Sequence, residues 1–452
     1  MISISLSQIE TAVSGELVGQ DKVINSVSTD TRAIENDALF IALVGERFDA
    51  HDFAQKAVDS GAGALIVSRK LDIDVPQILV KDTKQALGKL GALVHHSCDT
   101  PTIAITGSCG KTTVKEMVAS ILAYKGQVMF TAGNFNNDIG VPLTLLRSTP
   151  EDDFAVIELG ANHIGEIAYT TELVQPDVAL VNNVAAAHLE GFGSIDGVKQ
   201  AKGEIYQGLK AGSTALVNLD SQGGGYWDSV LRDKQVRTLS MTNTDADFYP
   251  TDIELTAQGH AHFVLHTPQG SAKVKLGIVG KHNIANALAA AALALEMGSD
   301  LASIVTGLAD VKPVKGRVEV IELTPKLTLI DDSYNASVPA MKAAVELLSG
   351  FESNRWLVLG NMAEMGEESL ELHREVGKHA APFKFEQVLT YGDDTKAISD
   401  VCGGKHFLTH QELIDFIQNE LDVASTTNTI LVKGALSAQM SQVAEAVKEM
   451  YS

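Results

Sequence analysis

Cysteine is scarce in this chain, which argues against a disulfide framework or a cysteine-rich zinc site. Three cysteines occur among 452 residues, at Cys98, Cys109 and Cys402, and none of them forms a C-x-x-C pair. Structural disulfides belong to oxidising compartments and usually come in even sets of cysteines. We therefore expect a protein of the reducing cytoplasm.

Basic residues are few relative to acidic ones. Lys and Arg number 35 against 57 Asp and Glu, a formal net charge of −22. A field of this sign repels nucleic acid and anionic membrane surfaces. Any anionic ligand must therefore be held by local cations and backbone amides, and we expect no nucleic-acid partner.

Long hydrophobic runs are also missing. The longest apolar stretch, residues 284–297, is alanine-rich and falls short of the about 20 apolar residues that a membrane helix needs. The opening segment MISISLSQIE has no basic region of the kind that begins a signal peptide. These features predict a cytoplasmic protein without stable membrane insertion.

The composition is that of an ordinary globular protein, with 45% hydrophobic and 20% charged residues. At roughly 150 residues per domain, the length predicts about three domains. Short apolar runs alternate with amphipathic stretches throughout, which is typical of an α/β fold. We predict three α/β domains, over residues 1–98, 99–313 and 314–452.

The central segment predicts a doubly wound parallel sheet. TIAIT (102–106) has the pattern of a buried strand, and the following helix carries apolar residues at helical spacing from Val114 to Leu122. Residues 244–278 alternate with period two across glycines, which predicts inserted antiparallel hairpins. Further strands are predicted in the central segment at 154–159, 177–184 and 213–219, and in the last segment at 327–332, 355–362, 387–392 and 428–434.

A glycine-rich loop between the first central strand and its helix has the pattern of a phosphate-binding loop. Its lysine would reach the β- and γ-phosphates and its first threonine would bind Mg²⁺. The full form, G-x-x-x-x-G-K-[ST], has its first glycine at the position of Ile105, so the pattern in this chain is shorter. The alternative interpretation is a glycine turn that caps a helix and carries a solvated lysine. The predicted nucleotide-binding residues are Gly107, Ser108, Cys109, Gly110, Lys111, Thr112 and Thr113.

Three other residues follow predicted strands of the same sheet. Glu158 ends a strand at the carboxyl edge, where it could hold Mg²⁺ or cap the next helix. His188 and Lys202 lie on a following loop and helix, where a satisfied loop histidine and a solvated lysine are the ordinary interpretations. His260 and His262 share one strand face, but they lack the acidic or cysteine partners of a zinc site.

Amides and cations recur later in the chain. Asn283 and Asn286 lie three apart at the start of a helix, where they could read adenosine or simply cap the helix. Lys312, Lys315 and Arg317 form a cationic cluster at the boundary between the second and third domains. An arginine brought across such a boundary could stabilise a transferring phosphoryl group.

Nine sequence segments of this chain, in their order and spacing, resemble the Mur ligase family of ATP-dependent amide-bond-forming enzymes of peptidoglycan synthesis. The resemblance covers essentially the whole chain and implies a small N-terminal α/β domain, a central P-loop domain and a C-terminal Rossmann-like domain. It is strongest for the branch that ligates D-alanyl-D-alanine. The phrases that carry it are STDTR, GERFDAHDF, TAGNFNNDIGVPLTLL, ELGANHIGEI, AHLEGFGS, GKHNIANALAA, GRVEVI, DDSYNAS and GNMAEMGEES.

The resemblance implies a role for each matching residue. Lys111 and its loop would hold ATP phosphates, and Lys202 matches a lysine that is carbamylated in the family, which would make it a Mg²⁺ ligand. The set implied to support two Mg²⁺ ions is Thr112, Glu158, His188 and carbamylated Lys202. Contacts to the nucleotide are implied for Asn283, Asn286, Arg317, Asp332 and Tyr334.

The resemblance also implies where the other substrate binds. UDP-sugar contacts are implied for Thr31, Arg32, Arg47, Asp49 and His51, and peptide contacts for Asn134, Asn137 and His163. One segment departs from the branch, in which V-K-G-S-R-S is common. Here Ala435 and Leu436 replace the first serine and the arginine of that segment, so we assign Leu436 no role.

The implied reaction joins D-alanyl-D-alanine to UDP-N-acetylmuramoyl-tripeptide through an acyl phosphate, with Lys111, Glu158, His188, Lys202 and Arg317 as the catalytic set. A monomer active in cell-wall synthesis and cell division is expected, with the third residue of the tripeptide, meso-diaminopimelate or lysine, left open. The loop alone also admits a small-molecule kinase or a non-enzymatic ATP-binding module. A folylpolyglutamate-type ligase shares the ATPase domain but would not need STDTR and GERFDAHDF.

Overall fold

The protein is described from a computed structural model, which covers residues 1–45, 47–186, 189–422 and 426–451. Its strands form three large sheets, of five, six and six strands, and two small ones. The predicted α/β class is confirmed. Within the residues just given, no helix combines the length and apolarity required to cross a membrane.

The first sheet has the order β2-β7-β6-β5-β4. It is parallel except where β2 joins β7 antiparallel, and helix α3 packs against it through buried leucines and Val94. The elements are β1 (Ile4–Ser5), α1 (Leu6–Val13), β2 (Glu16–Val18), β3 (Val23–Ile24), β4 (Val27–Ser28), β5 (Ala38–Ile41), α2 (Ala54–Asp59), β6 (Ala62–Val67), β7 (Gln77–Leu79) and α3 (Thr83–His96).

The central sheet is parallel throughout and has the order β13-β12-β11-β8-β10-β9. Its elements are β8 (Thr102–Thr106), α4 (Lys111–Leu122), β9 (Val128–Phe130), α5 (Gly140–Leu145), β10 (Phe154–Glu158), α6 (Glu166–Val174), β11 (Val178–Val181), α7 (Leu189–Phe192), α8 (Ile195–Gln207), β12 (Thr214–Asn218), α9 (Asp228–Leu231) and β13 (Gln235–Leu239). The predicted doubly wound sheet is therefore present. β11 is shorter than predicted because Asn182 and Asn183 turn their amides to the phosphate loop.

The predicted hairpins form an antiparallel sheet of β14 (Tyr249–Leu255), β15 (His260–Thr267) and β16 (Gly270–Val279). The alanine-rich helix α10 (Asn283–Glu296) lies between this sheet and the central one, and α11 (Leu301–Asp310) packs beside β16. Residues 287–294 of α10 are completely buried. Alanine suits this position because its small side chain lets a helix approach neighbours on every side without leaving voids.

The third sheet has the order β17-β18-β22-β19-β20-β21, antiparallel only between β17 and β18. Its strands carry the predicted apolar runs, and helices cover both faces. The elements are β17 (Glu319–Thr324), β18 (Leu327–Asp332), α12 (Val338–Ser349), β19 (Asn354–Gly360), α13 (Ser369–Ala380), β20 (Gln387–Tyr391), α14 (Lys396–Cys402), β21 (Lys405–Phe407), α15 (His410–Asp422), β22 (Asn428–Lys433) and α16 (Ser441–Tyr451).

The central and third sheets approach each other at their carboxyl edges. The Cys109 Sγ lies 3.0 Å from the Ser337 Oγ at the start of α12. The Glu190 amide at α7 donates to the Glu364 carbonyl at 3.2 Å. These contacts leave the phosphate loop facing the third sheet across a cleft.

His95 joins the first sheet's helix α3 to the central sheet. Its Nδ1 lies 2.8 Å from the Ser148 Oγ and its Nε2 lies 3.0 Å from the Thr102 Oγ1. Burial lowers the pKa of His95 to about 4. The imidazole is therefore neutral in the folded protein at neutral pH.

Acid should weaken this junction. The folded pKa of His95 lies below its unfolded value near 6.5, so its contribution is complete above pH 6.5 and is lost as the pH falls towards 4. We expect the free energy of unfolding to fall by about 3 kcal/mol over that range from this group. Urea unfolding of the wild type and His95→Gln, measured at a series of pH values, isolates the effect. His163→Gln, on an exposed side chain, should keep the wild-type slope; equal slopes for wild type and His95→Gln would contradict the assignment.

Candidate functional site

A cleft with a volume of about 710 Å³ lies between the central and third sheets. Both sheets present their carboxyl edges to it, which is where α/β proteins bind ligands. The predicted site residues that line it are Ser108, Cys109, Gly110, Lys111, Thr112, Thr113, Asn134, Asn137, Glu158, Asn283, Asn286, Arg317, Asp332 and Tyr334.

The phosphate loop turns from β8 into α4 through a left-handed glycine. Gly110 has φ +78°, and a Cβ there would lie 2.5 Å from the Asn286 Oδ1 and 2.7 Å from the Asn182 Nδ2. The Cys109 amide donates to the Asn183 Oδ1 at 2.8 Å, and its carbonyl accepts from the Asn182 Nδ2 at 2.9 Å. The loop is thus fixed against β11 and α10, with the N-terminus of α4 directed at the cleft.

Lys111 opens helix α4 at the centre of this loop. Its Nζ donates to the Gly107 carbonyl at 2.8 Å. Burial lowers the pKa of its ammonium, while the nearby Glu158 carboxylate raises it. A cation beside the backbone amides of a helix N-terminus is suited to phosphate.

Glu158 ends β10 beside the phosphate loop and is 1% exposed. Its Oε2 accepts from the Thr112 Oγ1 at 2.9 Å, and its Oε1 accepts from the Asn136 Nδ2 at 2.7 Å. The carboxylate therefore does not cap the following helix, which was the alternative. A carboxylate and a hydroxyl oxygen at this edge are hard donors of the kind that Mg²⁺ prefers.

Lys202 lies on α8 and is 1% exposed, so it is not a solvated lysine. Its Nζ lies 5.2 Å from the centre of the Phe192 ring. Burial, together with the positive charge of Lys111, lowers the pKa of Lys202 to about 7. The side chain therefore exists largely as a neutral amine just above neutral pH.

A chain of amides leads from the phosphate loop into α10. The Asn182 Nδ2 lies 3.1 Å from the Asn286 Oδ1, and the Asn286 Nδ2 donates to the Asn283 Oδ1 at 2.8 Å. The Asn283 Nδ2 donates to the Val279 carbonyl at 2.7 Å. Since neither Asn283 nor Asn286 bonds a free helix amide in these contacts, helix capping does not account for the pair.

The third sheet contributes a cation and a buried ion pair. The Arg317 guanidinium stacks 4.2 Å from the centre of the Tyr334 ring. The Lys433 Nζ donates to the Asp332 Oδ2 at 2.6 Å and to the Asn335 carbonyl at 2.9 Å. Burial raises the pKa of Asp332, and the Lys433 ammonium opposes that shift.

The residues assigned to the UDP-sugar do not line this cleft. Arg32 is exposed and forms an ion pair with Asp30 at 2.7 Å. His51 is buried, with its Nδ1 2.5 Å from the Asp49 Oδ1 and its Nε2 accepting from the Ser68 amide at 2.8 Å. Arg69 also bonds Asp49 at 2.7 Å, and this guanidinium holds the pKa of that carboxyl well below its usual range.

The remaining predicted residues are dispersed. Thr31 and Arg47 lie on loops of the first sheet, and Gly107, the first residue of the phosphate loop, does not line the cleft. His163 is exposed, and its Nδ1 lies 3.1 Å from the Glu166 Oε1 at the start of α6. His188 falls outside the described residues.

Sequence reasoning missed four residues that hold this site together: Asn136, Asn182, Asn183 and Lys433. Asn182 and Asn183 directly follow β11, Asn136 lies between β9 and α5, and Lys433 is the last residue of β22. A polar residue directly after an apolar run was the available signal, but nothing in the sequence said which loop it would face.

The chain matches three family models along its length. Residues 23–95 match "Mur ligase family, catalytic domain", residues 105–294 match "Mur ligase middle domain", and residues 316–436 match "Mur ligase, glutamate ligase domain".

Individual proteins match over nearly their whole lengths. The chain is 50% identical over 450 residues to the UDP-N-acetylmuramoyl-tripeptide–D-alanyl-D-alanine ligase of Escherichia coli K12, covering 99% of each. A crystal structure of MurF from Acinetobacter baumannii superposes with a TM-score of 0.93 at 37% identity, covering 98% of each chain. MurF from Thermotoga maritima in complex with ADP gives a TM-score of 0.84 at 27% identity, covering 94% of this chain and 97% of that one.

Proposed function

The chain belongs to the Mur ligase family, and we propose that it joins D-alanyl-D-alanine to UDP-N-acetylmuramoyl-tripeptide at the expense of ATP. The observation that carries this is the near-complete match, at 50% identity, to a ligase named for that reaction. A folylpolyglutamate-type ligase or a small-molecule kinase is not favoured, since the match to the D-alanyl-D-alanine ligase also covers the first domain.

In the proposed reaction the terminal carboxylate of the tripeptide attacks the γ-phosphate of ATP, forming an acyl phosphate and ADP. The amine of D-alanyl-D-alanine then attacks the acyl carbon, loses a proton and releases phosphate. Lys111 and the loop amides bind the phosphates, and Arg317 reaches them from the third sheet. No side-chain nucleophile is required because ATP supplies the leaving group.

The oxygens of Thr112 and Glu158 fit a divalent cation, since they meet at 2.9 Å on the cleft wall. His188 is proposed to complete this set together with Lys202. Bound Mg²⁺ would offset phosphate charge during transfer, and we propose two such ions.

Lys202 becomes an oxygen donor if its amine is carbamylated. A neutral amine attacks CO₂, the N–C bond forms, and the nitrogen loses one proton. The lowered pKa of about 7 provides that neutral amine near physiological pH. The buried position also protects the product from water.

The other assignments complete the proposal. The domains are placed at 1–98, 99–313 and 314–452, with the adenosine held by Asn283, Asn286, Asp332 and Tyr334. The first domain binds the UDP-sugar and the loop bearing Asn134 and Asn137 binds the peptide, with His163 beside it. His51 acts there by fixing Asp49, because both of its ring nitrogens are used. A cytoplasmic monomer is proposed.

Phosphate release tests the reaction directly. With ATP, Mg²⁺ and UDP-N-acetylmuramoyl-tripeptide, sustained release should require D-alanyl-D-alanine, and the product should gain the mass of the dipeptide less one water. A kinase would keep the phosphate on its product. Release that is independent of the dipeptide would reduce the central domain to an ATPase and refute the ligase.

A further inference from the structure

Lys115 is a buried lysine outside the predicted site. It lies on α4 one turn after Thr112 and is 1% exposed. Its Nζ donates to the Thr131 carbonyl at 2.7 Å and pairs with the Glu116 Oε1 at 2.8 Å. The ammonium therefore ties the phosphate-loop helix to the residue that follows β9.

Thr131 in turn contacts the neighbouring strand, β10. It is completely buried, and its Oγ1 accepts from the Glu158 amide at 2.9 Å. Its own amide donates to the Val156 carbonyl at 3.1 Å, which continues the pairing of β9 with β10. The backbone of Glu158 is thus held by a side chain from the neighbouring strand.

The connection closes into a ring through Thr112, whose hydroxyl donates to the Glu158 Oε2 at 2.9 Å. Thr112 and Lys115 are three residues apart and so share a face of α4. The ring runs from α4 to β9, from β9 to β10 and back to α4. It therefore fixes the backbone and the carboxylate of Glu158 relative to the phosphate loop.

A buried lysine is not the side chain that would stabilise this position most. An apolar side chain of similar volume often stabilises a fold as well as a buried ion pair or better. Groups that orient a metal ligand, by contrast, commonly change metal affinity or activity about 10- to 100-fold when they are removed. The charge at Lys115 is therefore better explained by a role in orienting Glu158 than by a contribution to the stability of the fold.

We infer that Lys115 and Thr131 are positioning residues that hold the Glu158 carboxylate where it binds the nucleotide-associated divalent cation. This inference rests on the proposed function for the role of Glu158. Neither residue touches the nucleotide; both act through Glu158.

The test uses the full chain with Lys115→Met and Thr131→Val. Binding of Mn²⁺ in the presence of ADP, followed by electron paramagnetic resonance, should weaken about 10-fold in each variant. The kcat should fall about 10- to 100-fold with the KM for the UDP-tripeptide unchanged. Thr131→Ser, which restores the hydroxyl, should recover both values.

Matched controls separate positioning from folding. Lys234→Met removes a lysine whose side chain is 6% exposed, and Thr171→Val removes a buried hydroxyl bonded to the Ile167 carbonyl. Both should keep wild-type Mn²⁺ binding. Unchanged Mn²⁺ binding in Lys115→Met and Thr131→Val would overturn the inference, as would losses that only follow the thermal midpoint in variants and controls alike.

The two proposals fail differently. If the wild type shows no dipeptide-dependent phosphate release, the ligase assignment fails, while the Mn²⁺ measurement still tests the ring. If the wild type is a ligase and the ring variants bind Mn²⁺ normally, only the positioning role fails.

Discussion

Replacing Lys111 with alanine should lower kcat for dipeptide ligation by about 10³-fold, the upper range for losing one preorganised charge contact to a transition state. Lys111 Nζ lies at the centre of the phosphate loop, 2.8 Å from the Gly107 carbonyl. Without it, the charge that develops on the transferring phosphoryl group loses its closest proposed cation from the protein. Phosphate release measured at saturating substrates gives the value.

The fold should survive this change because the Lys111 ammonium is not part of an apolar cluster. Circular dichroism and the thermal midpoint should match the wild type. Lys125→Ala, an exposed lysine just beyond the end of α4, should retain wild-type kcat. Activity of Lys111→Ala within ten-fold of the wild type would remove the phosphate-loop assignment.

Replacing Lys202 with alanine should cause a loss of similar size, about 10³-fold, but one that small carboxylates partly reverse. Formate, acetate or propionate would place a carboxylate where the carbamate stood. Phosphate release by the variant, measured with increasing carboxylate, should therefore rise and saturate. Lys199→Ala on the same helix, whose lysine pairs with Asp196, should neither lose activity nor respond.

The same group predicts a dependence on pH and CO₂. Since the pKa of Lys202 is lowered to about 7, the amine is neutral above that pH and increasingly protonated below it. Carbamate formation also releases a proton, so acid opposes it twice. Activity of CO₂-depleted wild type should fall below pH 7 and recover with bicarbonate. No rescue of Lys202→Ala combined with indifference to CO₂ would exclude the carbamate.

Structural features that depend on residues close together in the chain could be predicted from the sequence. The turn at Gly110 and the buried face of α4 depend on residues within a few positions of one another, so their pattern is visible in the chain. The parallel central sheet and the antiparallel insertion followed from periodicity for the same reason. The order of strands in the sheets was not visible, because each pairing joins distant segments.

The site was only partly predictable for a related reason. Glu158 was found because it ends an apolar strand, but its partner Asn136 lies 22 residues earlier on a different loop. Lys433 and Asp332 are 101 residues apart and meet only when β18 pairs with β22. Lys202 was singled out by family resemblance alone, since an isolated helical lysine usually faces water.

The position of α10 has a consequence for how the chain folds during synthesis. Every strand of the central sheet and of the antiparallel sheet precedes Asn283 in the chain, yet the helix that fills the space between the two sheets ends at Glu296. Domains generally fold as units while the polypeptide grows. The second domain therefore cannot complete its core until the ribosome has released residues 283–296. Until then the apolar faces of both sheets lack their common partner, so a nascent chain paused before this helix is exposed to aggregation.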